Sequence, residues 1–319
     1  MTIMENEGKV TSEMLRYRQK WSWKQKVDHS LGVIDQFLAR MDGKAFVSFS
    51  GGKDSSVLLD LCRIINPDIK AVFFNTGMEF PDIIRHIRQL KEQGYDIEFI
   101  NAKKKPAEIW SEYGFPLVSK EQAHKLWYMK NDPESKTARI GYSENSMHNV
   151  SHCWRFLVNE TFDCNNKCCD ILKKNPSHDY QKRTGLYPII GTMASESLLR
   201  KEQYLKRGGC NSFDGKKIFS TPLSIWTDDD VWAYINDRNL KIADIYSKGV
   251  RRTGCVCCGF GAHLEQGRFD VLYRLYPKIY SNTMEYTNNG VTFREAIRKV
   301  LAVNGLFLPD EDRQLKLDL

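Results

Sequence analysis

Two sets of residues in this chain have types and spacings suited to chemistry. The first is Ser50-Gly51-Gly52-Lys53-Asp54-Ser55, inside the stretch FVSFSGGKDSSVLLDLC. Two glycines let a backbone approach an anion with no Cβ in the way. The helix start that follows offers unpaired N–H groups and partial positive charge. The dipole alone contributes only about 0.3–1 kcal/mol per charge, too little to hold a polyphosphate. Lys53, the Ser50 and Ser55 hydroxyls and a Mg²⁺ ion must then supply the rest, with Asp54 as the carboxylate for the metal. The expected chemistry is capture of a phosphate group. The stretch is not a Walker A loop, because Val47 stands where that pattern needs glycine, and it is not G-x-G-x-x-G either. A tight strand-to-helix turn without a ligand is the alternative.

The second set is sulfur. Cys168 and Cys169 are adjacent, and Cys255 and Cys258 form a C-x-x-C pair. Zinc sites usually come as two separated pairs, so a tandem pair with one C-x-x-C suits zinc poorly. Four thiolates suit a [4Fe–4S] cluster, with zinc and free thiols as the alternatives. Cys257 could replace Cys258, Cys164 lies four residues before Cys168, and Cys153 and His152 are further spares. His148 and His152, four apart, could chelate on a helix. Cys62 falls on the apolar face of the helix after the loop and reads as core. Cys210 follows two glycines and is expected to be exposed, with a reactive role open to it.

The elements that must position these residues follow from periodicity. Residues 11–40 read as helix, with Leu31, Ile34, Phe37 and Leu38 on one face. KAFVSFS reads as a buried strand. DSSVLLDLCRIIN reads as a helix burying Val57, Leu58, Leu61, Ile64 and Ile65, ended by Asn66-Pro67. IKAVFFNTG, YDIEFINA, LYPIIGT and KKIFSTPL read as further strands. PDIIRHIRQLKEQG opens on Pro and closes on Gly, the expected helix asymmetry. PAEIWSEYG, ASESLLRKEQYL and TDDDVWAYINDR read as helices, the last with Thr227 as N-cap and acids in its first turn. Strands alternating with helices imply an α/β fold: a Rossmann-like parallel sheet with helices on both faces. Residues 114–180 break that rhythm. The division expected is an N-terminal helical segment over 1–39, a nucleotide domain over 40–261 and a C-terminal helical appendage over 262–319.

Hydrophobic residues make up 41% and charged ones 27%, enough apolar material for a buried core. No apolar run reaches the roughly 18 residues a membrane span needs. The start lacks the apolar region of a signal peptide, which points to the cytoplasm and to thiols or metal ligands rather than disulfides. A formal charge of +7 suits an anionic substrate or a nucleic acid.

Taken together, SFSGGKDSSVLL, FFNTGMEFPD, GTMASESLLR, PLSIWTDDDVWAYI and IYSKGVRRTGCVCCGFG resemble, in order, the motifs of the phosphoadenosine phosphosulfate (PAPS) reductase family. That family lies within the PP-loop ATP-pyrophosphatase superfamily, whose fold is adenine nucleotide alpha-hydrolase-like. The resemblance covers roughly residues 40–261, and five ordered motifs make chance agreement implausible. It implies an adenine nucleotide, ATP or an adenylyl sulfate, held by Ser50, Gly51, Gly52, Lys53, Asp54 and Ser55. It further implies contacts from Asn75, Thr76 and Gly77 near the adenosine, and from Gly191, Glu196 and Ser197 in the substrate motif. Lys53, Asp54 and Arg200 are then the catalytic residues, Lys53 and Arg200 stabilising developing charge. The four cysteines resemble the cluster motif of adenylyl-sulfate reductases.

Two departures from those reductases stand out. No cysteine follows Cys258, where they carry a C-terminal nucleophile. Met193 also replaces an arginine of the substrate motif. The leading expectation is therefore a cluster-bearing PP-loop ATP pyrophosphatase that adenylates an acceptor and acts in sulfur transfer. The runner-up is an adenylyl-sulfate or PAPS reductase using Cys210, Cys153 or a partner's thiol. A third is a nucleotide-sensing regulator without turnover. Partners implied are a sulfur-donor protein or a thioredoxin-like reductant, with nucleic acid as an acceptor and self-association common among relatives.

Overall fold

A computed structural model describes residues 10–213, 217–265 and 267–311. They form two compact units that interleave along the chain. One holds the residues up to Phe74 with Pro81–Ile100 and Ser177–Lys248; the other holds Asn75–Phe80, Asn101–Pro176 and the residues from Gly249 onward.

The first unit is built on a six-stranded sheet. Its strands are Ala45–Ser48 (β1), Ala71–Asn75 (β2), Ile97–Asn101 (β3), Tyr187–Ile190 (β4), Asn211–Ser212 (β5) and Phe219–Ser220 (β6). The spatial order is β3–β2–β1–β4–β6–β5. β1 pairs in parallel with β2, Val47 against Ala71, and with β4, Val47 against Ile189. β4 and β6 are also parallel, whereas β5 runs antiparallel to β6. The expected α/β architecture with a mostly parallel sheet is present. β5 was not anticipated, because two residues carry no periodicity and their pairing is decided by β6.

The helices of this unit include Ser12–Gln19 (α1), Trp23–Arg40 (α2), Lys53–Ile65 (α3) and Pro81–Glu92 (α4). The single helix expected over 11–40 is thus two. Ser22 interrupts it with a capping box, its hydroxyl accepting from the Gln25 amide while Gln25 Oε1 accepts from the Ser22 amide. On α3, Val57, Leu58 and Leu61 are buried as expected, but Ile64 is exposed and Ile65 only half-buried. Leu59 and Cys62 complete the buried face instead. Thr227 caps the Asp228–Asp237 helix as the sequence indicates, with Asp230 closing a capping box. Phe46, Val72 and Tyr180 form part of the core under the sheet, the Phe46 and Tyr180 rings 5.0 Å apart.

The second unit has little sheet. Leu117–Val118 pairs in parallel with Gly259–Phe260, and Thr287–Asn288 forms a hairpin with Val291–Thr292. The polar stretch after residue 114 contains the helices Lys120–Asn131 and Lys136–Tyr142. The described residues between 262 and 311 belong to this unit. Phe293 is fully buried, its ring 4.7 Å from that of Trp110 and 5.4 Å from that of Phe115. Asn288 is buried too, donating to the Trp110 and Ser111 carbonyls and accepting from the Asp163 amide. Among the described residues no helix is long and apolar enough to cross a membrane.

Candidate functional site

The glycine loop joins β1 to α3 in the first unit. Gly51 has φ +72°, and a Cβ there would stand 2.8 Å from Ile83 Cγ2 and Ile87 Cδ1 of α4. Glycine suits both conditions, since a side chain is strained in the left-handed region and here would also press on the two isoleucines. The two serines fold the loop on itself. Ser55 Oγ donates to the Gly52 carbonyl at 2.9 Å and accepts from the Ser50 amide at 3.2 Å. Past the end of β4, Gly191 brings its backbone against the start of α3, where a Cβ would lie 3.2 Å from the Asp54 carbonyl oxygen.

Lys53, the first residue of α3, is only 3% exposed. Its ammonium lies 2.7 Å from Asp54 Oδ1 and 2.5 Å from Asp228 Oδ1. Burial alone would lower its pKa, but the two carboxylates outweigh it and hold the lysine above its ordinary value. The Lys53 amide donates to Tyr246 Oη at 2.7 Å. The Tyr246 ring meets Trp232 edge to face at 5.8 Å, and Trp232 lies on the Asp228–Asp237 helix. Asp228 and Tyr246 were not among the residues expected here. The signal for Asp228 was its place in the run Asp228-Asp229-Asp230, where a helix-dipole role hid a specific ion pair.

Glu196, Ser197 and Arg200 form a local group. Arg200 pairs with Glu196, whose carboxylate also accepts from the Met193 amide at 2.9 Å. Ser197 Oγ accepts from the Arg200 amide and caps the Leu198–Arg207 helix. Asn75, Thr76 and Gly77 belong to the second unit. Asn75 donates to Asn101 Oδ1 at 2.9 Å and accepts from the Gly77 amide at 3.1 Å. Buried Thr76 donates to Glu79 Oε1 at 2.6 Å.

The sulfurs converge within the second unit. Cys168, Cys169, Cys255 and Cys258 line one pocket with Met78, Leu172 and Lys173, open in part to solvent. The tandem pair sits in the single helical turn Lys167–Cys169. The C-x-x-C segment is a tight turn closed by the Cys258 amide on the Cys255 carbonyl, and the Val256 amide ties it to the Met78 carbonyl at 2.7 Å. A hydrogen bond from Cys168 holds the Cys169 thiol below its ordinary range against the effect of burial, helped by Lys120, Lys173 and Lys174. The same hydrogen bond, together with burial, raises Cys168. Burial pushes Cys258 up to about 11. Lys173 would be lowered by burial of its ammonium, but the Cys255 sulfur more than offsets this.

The spare ligands lie elsewhere. Cys257 is fully buried and pushed up to about 12 by that burial, and Cys164 is buried as well; neither lines the pocket. Cys153 is exposed beside Ser151 Oγ, 3.2 Å away. His148 and His152 do not act as a pair: each faces its own carboxylate, Glu121 at 3.4 Å and Glu144 at 2.7 Å. Cys62 is core, as expected. Cys210 corrects an expectation. It is fully buried 3.8 Å from His29 Nε2, because the strand it leads into lies on the edge of the sheet against α2. Among the described residues no three His, Cys, Asp or Glu side chains are arranged to hold a single metal ion, and the Mg²⁺ role expected of Asp54 gains no support. The four pocket thiols nonetheless suit a polynuclear cluster, which gives each thiolate its own iron.

The family model of the phosphoadenosine phosphosulfate reductase domain matches residues 44–136 and 133–259. An uncharacterized protein of Methanocaldococcus jannaschii is 25% identical over 263 residues, 80% of this chain and 51% of its own length. The adenosine 5'-phosphosulfate reductase of Staphylococcus epidermidis is 27% identical over 219 residues, 66% of this chain and 68% of its own length. The solved structure of phosphoadenylyl-sulfate reductase from Candida auris overlaps 78% of this chain and 98% of its own at 12% identity and a TM-score of 0.43. The chain spans about half the length of the curated M. jannaschii relatives it matches.

Proposed function

The chain belongs to the phosphoadenosine phosphosulfate reductase domain family, and from that premise we propose that it is an enzyme of sulfur chemistry. It binds an adenine nucleotide at the loop 50–55 and carries a [4Fe–4S] cluster on Cys168, Cys169, Cys255 and Cys258. The observation that carries this reading is the pocket itself. Two cysteine pairs far apart in sequence line one cavity, with a lysine ammonium against one of the sulfurs. When bound, such a cluster supplies iron sites that hold or polarise sulfur.

With ATP, an acceptor oxygen attacks the α-phosphorus, the bond to the bridging oxygen breaks, and pyrophosphate leaves. The loop amides and Lys53 hold the departing anion, donors fixed before the charge develops. Arg200 and Lys53 are the cations of the site, Asp54 orients the lysine, Glu196 pairs with the arginine, and Ser197 caps the helix that carries it. Adenylation of the acceptor then opens it to sulfur brought by a donor protein.

A second reading has a specific observation in its favour, the 27% identity to a protein named adenosine 5'-phosphosulfate reductase. In it the nucleotide is an adenylyl sulfate, and a thiol attacks its sulfur to release AMP and finally sulfite. Anaerobically purified protein is to be assayed for iron and acid-labile sulfide, then for pyrophosphate from ATP and for sulfite from adenosine 5'-phosphosulfate with a reduced thioredoxin. Pyrophosphate supports the first reading and sulfite the second. Lys53→Ala abolishes turnover with iron retained, while Cys169→Ser loses the iron. Turnover surviving in the lysine variant, or full iron in the cysteine variant, means the two sites are assigned wrongly.

A further inference from the structure

Two donors that an anion at the glycine loop would use are already taken. Asp228 holds the Lys53 ammonium at 2.5 Å, and Tyr246 Oη accepts the Lys53 amide hydrogen at 2.7 Å. Both contacts trace to the Asp228–Asp237 helix. Asp228 begins it, and Trp232, one turn later on the same face, backs the Tyr246 ring. We infer that Asp228 and Tyr246 form a latch on the loop, which a phosphate must displace before Lys53 can bind it. This rests on the proposed nucleotide reading for its ligand.

The two carboxylates on Lys53 differ in their freedom to leave. Asp54 is the next residue of the same helix, whereas Asp228 comes from another helix and its side chain is 62% exposed. Lys53 cannot follow it outward, because the lysine is buried. Asp228 is therefore the partner that yields, turning its carboxylate to water as a phosphate takes the ammonium. With both carboxylates in place the group carries a net negative charge, which repels a polyphosphate. The latch thus makes Asp228 a positioning residue that sets the loop's affinity and keeps its lysine fixed while the site has no anion.

The test measures equilibrium binding of magnesium-free ATP, inorganic pyrophosphate and adenosine to the anaerobically purified full chain. Asp228→Asn keeps the shape and removes the charge. It is expected to tighten ATP about tenfold, equivalent to about 1.4 kcal/mol, and to leave adenosine unchanged. A change in packing would move both. Tyr246→Phe is expected to give a smaller gain of the same sign, and in a Lys53→Met background Asp228→Asn is expected to change nothing. Unchanged or weaker ATP binding by Asp228→Asn, with the wild type binding ATP and adenosine normally, overturns the latch and leaves the nucleotide reading standing. Pyrophosphate bound more tightly by the variant, with adenosine bound by neither protein, supports the latch and removes the nucleotide. Failure of every variant to bind any of the three overturns both.

Discussion

Asp230→Ala removes one carboxylate on which the start of the Asp228–Asp237 helix depends. Its Oδ2 lies 2.5 Å from Lys26 Nζ and accepts from the Thr227 amide at 2.7 Å and the Thr227 hydroxyl at 2.6 Å. The Lys26 side chain is 1% exposed and also donates to the Gln19 carbonyl at 2.8 Å. Truncation leaves that ammonium buried without a counter-charge, which costs about 3–5 kcal/mol. The lost half of the capping box adds about 1 kcal/mol. Both effects run through the same oxygen and overlap, so the expected loss is about 4 kcal/mol, a large part of an ordinary domain's stability of about 5–15 kcal/mol. Urea titration of the full chain, followed by far-ultraviolet circular dichroism and tryptophan fluorescence, measures it. The double variant Lys26→Met, Asp230→Leu removes the stranded charge and is expected to recover at least half of the loss. A cost below about 1 kcal/mol for Asp230→Ala, or a double variant no more stable than the single one, refutes the claim that this buried pair fixes the helix start. The same variant loosens the helix turn that delivers Asp228 to Lys53, so its effect on ATP affinity reports on the latch as well.

Gly51→Ala forces a side chain into a left-handed residue and against Ile83 and Ile87; a loss of about 2–4 kcal/mol in the urea midpoint analysis is expected, with nucleotide binding lost before the fold. His29 is held by burial, and by the Arg18 charge, at about 4 rather than 6.5. The unfolded chain therefore takes up this proton first on acidification, so stability is lost as pH falls from 6.5 towards 4 and levels off below it, by about 3 kcal/mol in all. His29→Phe is expected to flatten that part of the urea-midpoint profile against pH, and an unchanged slope counts against it. Asn288→Ala strips the second unit of three hydrogen bonds made by a buried side chain, to Trp110, Ser111 and Asp163. A loss of about 3 kcal/mol is expected, with iron content, measured on native protein, preserved at low temperature.

Local chemistry wrote much of this protein into its sequence. The strand–glycine loop–helix at 45–65, the Pro-led α4, the Thr227 cap and the core role of Cys62 each depend on a few consecutive residues, so periodicity and capping sufficed to find them. Two-residue strands such as β5 and the helices inside 114–180 were not found, because their patterns are too short or too polar to stand out from loop. Ile64 shows the limit within one helix: its spacing fits the apolar stripe, but what covers that stripe decides where burial stops. The same holds at the site. The sequence determined that a lysine would follow two glycines and that four cysteines would come in two pairs. Only the tertiary structure decided that Asp228 would neutralise that lysine, that Cys168 and Cys169 would face Cys255 and Cys258 across one pocket, and that Cys210 would be sealed beside His29. The reason is physical. Caps and periodicities are set by neighbours along the chain, whereas an ion pair or a shared cavity is set by which elements pack together, and no single segment carries that information.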